Sequence, residues 1–195
     1  MAHYRPRLID DLYKKLLAFS PLIGVFGHRQ VGKSTFVSAK TNEYYTLDDE
    51  TVLARIRASP KKFIAKICKY PTALDECQLA PALFPALKER VRTNKRPGQI
   101  VLTGSVRFTS RKAIRESLAG RIVSIELYPL TVAELAKSLL NDLVPRLVKV
   151  PTFSGQILDF FPQRIELNKM KREYQKYLEN GGLPGLCFIR NQRLQ

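Results

Sequence analysis

Gly27-His28-Arg29-Gln30-Val31-Gly32-Lys33-Ser34 is the stretch on which the rest of the chain turns. It matches the spacing G-x-x-x-x-G-K-S/T, in which each position answers a requirement of triphosphate binding. The glycines let the backbone wrap close to an anion. Successive N–H groups and the start of the following helix point at it, and the helix dipole favours negative charge there. Lys33 adds a point charge for the β- and γ-phosphates of ATP, and the Ser34 hydroxyl is a ligand for Mg²⁺. Arg29, Gln30, Val31 and Thr35 complete the expected nucleotide-binding set. Arg29 either clamps nucleotide, or a neighbouring acid, or stands in solvent. The setting fits the motif: Leu22 to Phe26 is a short apolar run that reads as a buried strand, and Lys33 to Lys40 reads as the helix after the loop.

Outward from the loop, apolar and polar segments alternate in the rhythm strand, helix, strand, helix, which points to an α/β fold with a parallel sheet covered on both faces. Further strands are expected at Tyr44 to Leu47, Pro71 to Leu74, Gln99 to Thr103 and Ile122 to Leu127. Helices are expected at Ile9 to Phe19, Val52 to Ala58, Pro60 to Lys69, Pro81 to Thr93 and Thr109 to Ala119, the last closed by Gly120. Thr131 to Leu143 reads as a helix whose Thr131 and Glu134 form a capping box. Residues 144–163 hold three prolines and a glycine and read as an irregular connection, followed by a charged helix from Glu166 to Glu179 and the turn Asn180-Gly181-Gly182. The expected organisation is a nucleotide-binding core over 1–143, a connection over 144–165, and a short helical segment over 166–195.

Binding nucleotide is not hydrolysing it; turnover needs a carboxylate for the metal and a group that orients and deprotonates water. Asp75-Glu76, directly after the third strand, meets both needs, with Asp75 facing the magnesium shell and Glu76 the water. This is the Walker B pattern with an adjacent glutamate, paired with the Walker A loop above. The strand Tyr44 to Leu47 lies between the two motifs, the arrangement of P-loop enzymes that carry the extra glutamate. The fourth strand, ending Leu102-Thr103-Gly104-Ser105, aims a small polar side chain at the γ-phosphate. Ser105 is the first candidate for this sensor, with Thr103 second. Arg121 follows Gly120 at a helix–strand junction, where it is either a finger for the nucleotide of a neighbouring subunit or a surface or phosphate-binding arginine. His3 and His28 lack ligand-spaced partners and are assigned no metal.

The chain has 195 residues, 45% of them hydrophobic, enough for a substantial core. Cys68, Cys77 and Cys187 show neither paired nor zinc-type spacing and read as ordinary thiols of a reducing compartment. Met1 to Asp10 is charged where a secretory signal needs an apolar run, and no stretch approaches a membrane span, so a cytoplasmic protein with no membrane partner is expected. The net charge of +16 produces a field attractive to polyanions. Residues 88–121 alone hold ten basic residues against Glu89 and Glu116. The stretch is either a nucleic-acid surface or a solvated basic face.

Together, the loop 27–34, Tyr45-Thr46-Leu47-Asp48, Leu74-Asp75-Glu76-Cys77-Gln78, Leu102-Thr103-Gly104-Ser105 and Ser117-Leu118-Ala119-Gly120-Arg121 closely resemble an archaeal and bacterial family of AAA+-type ATPases. The match spans residues 5 to about 135 and resumes at Tyr177 to Pro184, which looks like the start of a helical or winged-helix segment. The resemblance implies a P-loop three-layer sandwich with strand order 5-1-4-3-2, Gln78 near the Walker B acids, and Arg121 at the finger position of a homo-oligomer. Family members usually continue into a domain resembling restriction endonucleases, and the resemblance leads to the expectation of a form without it. The third strand, with Thr72 in it, is also shorter and more polar than the family pattern. The expected function is magnesium-dependent ATP hydrolysis to ADP and phosphate, coupled to a nucleic-acid or protein partner. The alternatives are an ATP-binding switch with little hydrolysis, or a truncated DNA-binding remnant.

Overall fold

The computed structural model describes residues 4–67, 69–105, 118–137 and 167–188. They belong to two compact units, one running Asp11–Tyr128 and the other joining Met1–Asp10 to Pro129–Gln195.

The first unit is built on five parallel strands: β1 (Leu22–Phe26), β2 (Glu43–Thr46), β3 (Thr72–Asp75), β4 (Ile100–Gly104) and β5 (Ile122–Glu126). Their order is β2-β3-β4-β1-β5, which is the expected 5-1-4-3-2 read from the other edge. Every residue of β1, β3 and β4 is buried, as central strands of a parallel sheet must be when both faces are covered. The polar Thr72 is tolerated in β3 because its hydroxyl donates to the carbonyl of Lys69, so no polar group is buried unmatched.

The helices before and between the strands are α1 (Asp10–Phe19), which precedes β1, and α2 (Lys33–Ser38), α3 (Glu50–Ala58), α4 (Pro60–Lys66) and α5 (Leu83–Thr93). Local chemistry sets their ends. The Asp49 carboxylate accepts from the N–H groups of Thr51 and Val52 and starts α3 two residues earlier than apolar periodicity suggests. Ser59 caps α4, with Pro60 in its first turn. The core joins Leu22, Leu74 and Leu102 of the sheet to Leu53, Ile56, Leu83 and Leu87 of the helices. Tyr13 of α1 meets Phe36 of α2 edge to face, ring centroids 5.1 Å apart. Residues 109–117 of the helix expected over 109–119 lie outside the described residues.

In the second unit, α6 (Val132–Ala136) begins at Thr131 with the expected capping box. The remainder of that helix, to 143, and the connection 144–165 lie outside the described residues. Glu134, 7% exposed, accepts from Arg7 Nε at 3.1 Å, from the Leu8 N–H at 2.7 Å and from the Thr131 N–H at 2.8 Å. A buried carboxylate is stable only when matched in this way. α7 (Leu167–Asn180) ends at Gly181 in the left-handed region, and α8 (Pro184–Cys187) follows. Leu130, Leu135 and Cys187 form a small core with Tyr177 and Phe188. No helix among the described residues is long and apolar enough to cross a membrane.

Candidate active site

Parallel pairing brings the carboxyl ends of the strands to one edge of the sheet. Phe26 of β1 pairs with Gly104 of β4 and with Glu126 of β5, Leu74 of β3 pairs with Leu102, and Thr46 of β2 pairs with Asp75. The glycine loop leaves this edge directly after Phe26. At Gly27 a β-carbon would lie 2.3 Å from the Leu127 carbonyl oxygen, because the Leu127 N–H donates to the Phe26 carbonyl and draws the chain after β5 across the start of the loop. Only glycine fits there. Gly32 has φ 95° and starts α2 with no side chain bonded to the helix end, and Gln30 also has a positive φ of 67°. Alternation of this kind turns successive N–H groups toward one concave side, the arrangement that holds anions.

Lys33 is only 6% exposed, and its ammonium donates to the loop carbonyls of Gly27 at 3.2 Å and His28 at 2.9 Å. The charge is therefore held inside the curve of the loop. His28, Arg29, Gln30, Ser34 and Thr35 are exposed, while Val31 is buried beneath the loop.

Asp75, 2% exposed, ends β3 and is the hub of the site. Its Oδ1 accepts from the Thr103 hydroxyl and, at 3.1 Å, from the Glu76 N–H; its Oδ2 accepts from the Tyr44 hydroxyl. Burial first, and then the Asp75 carboxylate, push the Tyr44 phenol above its ordinary value, so it remains an O–H donor at neutral pH. The Tyr44 hydroxyl thus ties β2 to the end of β3, at the sheet edge from which the glycine loop leaves. Tyr44 had no role in the sequence reading; the signal for it was an aromatic on the strand beside the acidic pair.

Glu76 has φ 54°, in the left-handed region, and precedes a short 3-10 turn, Cys77–Leu79. The Gln78 amide donates to Glu76 Oε2, while Gln78 Oε1 is buried with no partner among the described residues. Burial pushes the neighbouring Cys77 thiol up, so it is an inert packing group.

Of the two sensor candidates, Thr103 is buried and bonded to Asp75, and its oxygen also lies 3.3 Å from the Glu76 N–H. Ser105 lies beyond the end of β4. Arg121 is not brought to the loop: it precedes β5, and its Nη1 donates to the Ala119 carbonyl at 3.1 Å. The five residues of β5 span roughly 16 Å, so Arg121 and the glycine loop stand at opposite ends of that strand.

One carboxylate and one hydroxyl suit Mg²⁺, which is commonly held by one or two carboxylates with waters and substrate phosphates. Among the described residues there is no group of three His, Cys, Asp or Glu side chains that would form an all-protein metal cage.

A family model described as an AAA domain matches residues 20–136. Uncharacterized proteins of Mycobacterium bovis and Mycobacterium tuberculosis are each 30% identical to the chain over 146 residues, covering 73% of it and 33% of the relative. The chain thus spans about a third of their length. Among solved structures, PCH-2 of C. elegans is similar with a TM-score of 0.47 and 13% identity, over 88% of this chain and 55% of that one. Domain III of the Thermotoga maritima replication initiation protein DnaA is similar with a TM-score of 0.44 and 12% identity, over 90% of this chain and 83% of that one.

Proposed function

The chain belongs to the AAA domain family, and from that premise we propose that it is a magnesium-dependent ATPase whose cycle acts on a nucleic-acid partner. The observation that carries the reading is that the glycine loop after β1 and the buried Asp75 that ends β3 lie at the same edge of the sheet, with Glu76 next in the chain. The loop N–H groups of residues 27–34 and Lys33 hold the β- and γ-phosphates, the ammonium exchanging its carbonyl partners for phosphate oxygens. Ser34 and Asp75 hold Mg²⁺, which neutralises phosphate charge when bound.

Glu76 is the base. As the water oxygen bonds to the γ-phosphorus, its proton passes to the Glu76 carboxylate, and the bond from that phosphorus to the bridging oxygen breaks, releasing ADP. Gln78 holds Glu76 Oε2 in place. Thr103 steadies Asp75 and is the better sensor candidate of the pair. The nucleic-acid partner is supported by the net charge of +16.

Phosphate release from ATP, measured with and without magnesium and with and without nucleic acid, tests the proposal. Magnesium-dependent release is expected; ATP binding without release under every condition would make the chain a nucleotide switch instead.

Tyr44 offers a second test. Its O–H occupies a lone pair of the oxygen on which Asp75 would receive the metal, and one such hydrogen bond contributes about 1 kcal/mol, or roughly fivefold in an equilibrium. Tyr44→Phe is therefore expected to lower the magnesium concentration for half-maximal turnover by about fivefold. A magnesium titration at fixed ATP reads this, and a rise instead would mean that Tyr44 orients Asp75 for the metal.

A further inference from the structure

We propose that the amino end of the sheet carries a second binding site, a groove for single-stranded nucleic acid. The inference rests on the nucleic-acid reading above and gives it a location. A cavity of about 740 Å³ opens between the ends of α1 and α5 and the starts of β1 and β5. Ile122 and Val123 form part of its apolar wall, and Phe19, Arg92, Lys95 and Arg121 also line it. No carboxylate is among its described lining residues. Glu89, one turn back on α5, is engaged by Arg92 at 2.7 Å.

Phe19 decides the class of ligand. It is the last residue of α1 and is 75% exposed, an aromatic face presented to solvent beside three cations. Cations alone suit any polyanion. An exposed ring among them suits unpaired bases, which stack on aromatic side chains while the basic groove follows the phosphates. The volume lies in the range of about 300–1,000 Å³ that encloses a small organic ligand, which suits a nucleotide-sized group and is too small for a base-paired duplex. The position also gives Arg121 a role within its own chain: it faces away from its own glycine loop and shares the groove with Arg92 and Lys95. Phosphate contacts from these three set affinity, and Phe19 confers the preference for single strands.

The test is fluorescence anisotropy of a labelled oligothymidylate with the full chain, over a series of salt concentrations, alongside binding of a fluorescent ATP analogue. Phe19→Ala is expected to weaken oligothymidylate binding about tenfold and Phe19→Trp to preserve it, both with unchanged melting temperature and ATP-analogue binding. Lys95→Ala is expected to weaken binding and to reduce the logarithmic salt slope by about 1.

Oligothymidylate binding that is unchanged in both Phe19→Ala and Lys95→Ala overturns the groove. So does duplex binding as tight as single-strand binding. Loss of oligonucleotide-free ATP turnover in Arg121→Ala, with oligothymidylate binding intact, also overturns it and makes this face the contact with a second copy's nucleotide. Protein that hydrolyses ATP but binds no oligothymidylate sinks the groove alone. Protein that binds it through Phe19 but never hydrolyses ATP sinks the ATPase reading alone.

Discussion

Glu76→Gln is expected to lower ATP turnover by at least about a hundredfold while leaving ATP affinity within about twofold. A positioned general base contributes typically 10²–10⁴-fold, and glutamine keeps the size and hydrogen-bonding reach of the side chain without its basicity. The substitution leaves the glycine loop untouched. The Glu76 N–H, which bonds to Asp75 Oδ1, belongs to the backbone and survives, so Asp75 is held as before. Single-turnover phosphate release together with equilibrium binding of an ATP analogue separates the two quantities. Equal losses of affinity and turnover would show that residue 76 shapes the site rather than acting on water.

Lys33→Ala is expected to weaken ATP binding about a hundredfold or more. Charge-assisted hydrogen bonds are worth about 1.5–3 kcal/mol each, and loss of contacts to two phosphate groups sums to roughly 3 kcal/mol or above, equivalent to at least about two decades in the dissociation constant. The folded state should tolerate the change. The ammonium is buried and, among the described residues, bonded to carbonyls at the edge of the loop, so its removal also removes the desolvation cost of a buried charge. Isothermal titration with ATP and a thermal melt of the same sample test both halves. ATP affinity within threefold of wild type would sink the assignment of this loop as the phosphate site.

The parallel sheet was legible because β1 and β4 are short apolar runs next to turn signals, because β2 is rich in aromatic and β-branched residues, and because the glycine loop names its own place after β1. What escaped the sequence depended on side-chain parity and on register. Tyr44 and Tyr45 are chemically alike, and alternation sends one to each face of β2 without saying which. Tyr45 turns to Phe63, ring centroids 5.4 Å apart, and Tyr44 is left facing Asp75. The choice between Thr103 and Ser105 turned on where β4 ends. Pairing of Leu74 with Leu102 sets Thr103 beside Asp75, a fact of register that no local pattern carries. The 3-10 turn after Glu76 was hidden because a glutamate gives no warning of a left-handed backbone, whereas the glycines at 27 and 32 announce theirs. Arg121 followed the family pattern in sequence, but its position relative to its own loop is a matter of strand direction, visible only once β5 is seen to run parallel to β1.

The left-handed backbone at Glu76 sets durability against activity at one residue. A side chain in that conformation costs on the order of 1–2 kcal/mol, which glycine or asparagine would largely relieve. A population of variants screened only for survival of heating would therefore drift toward those residues at position 76 and discard the carboxylate on the way. A thermostabilising library built on this chain should hold that codon constant, since the most rewarded change there is also the one that silences it.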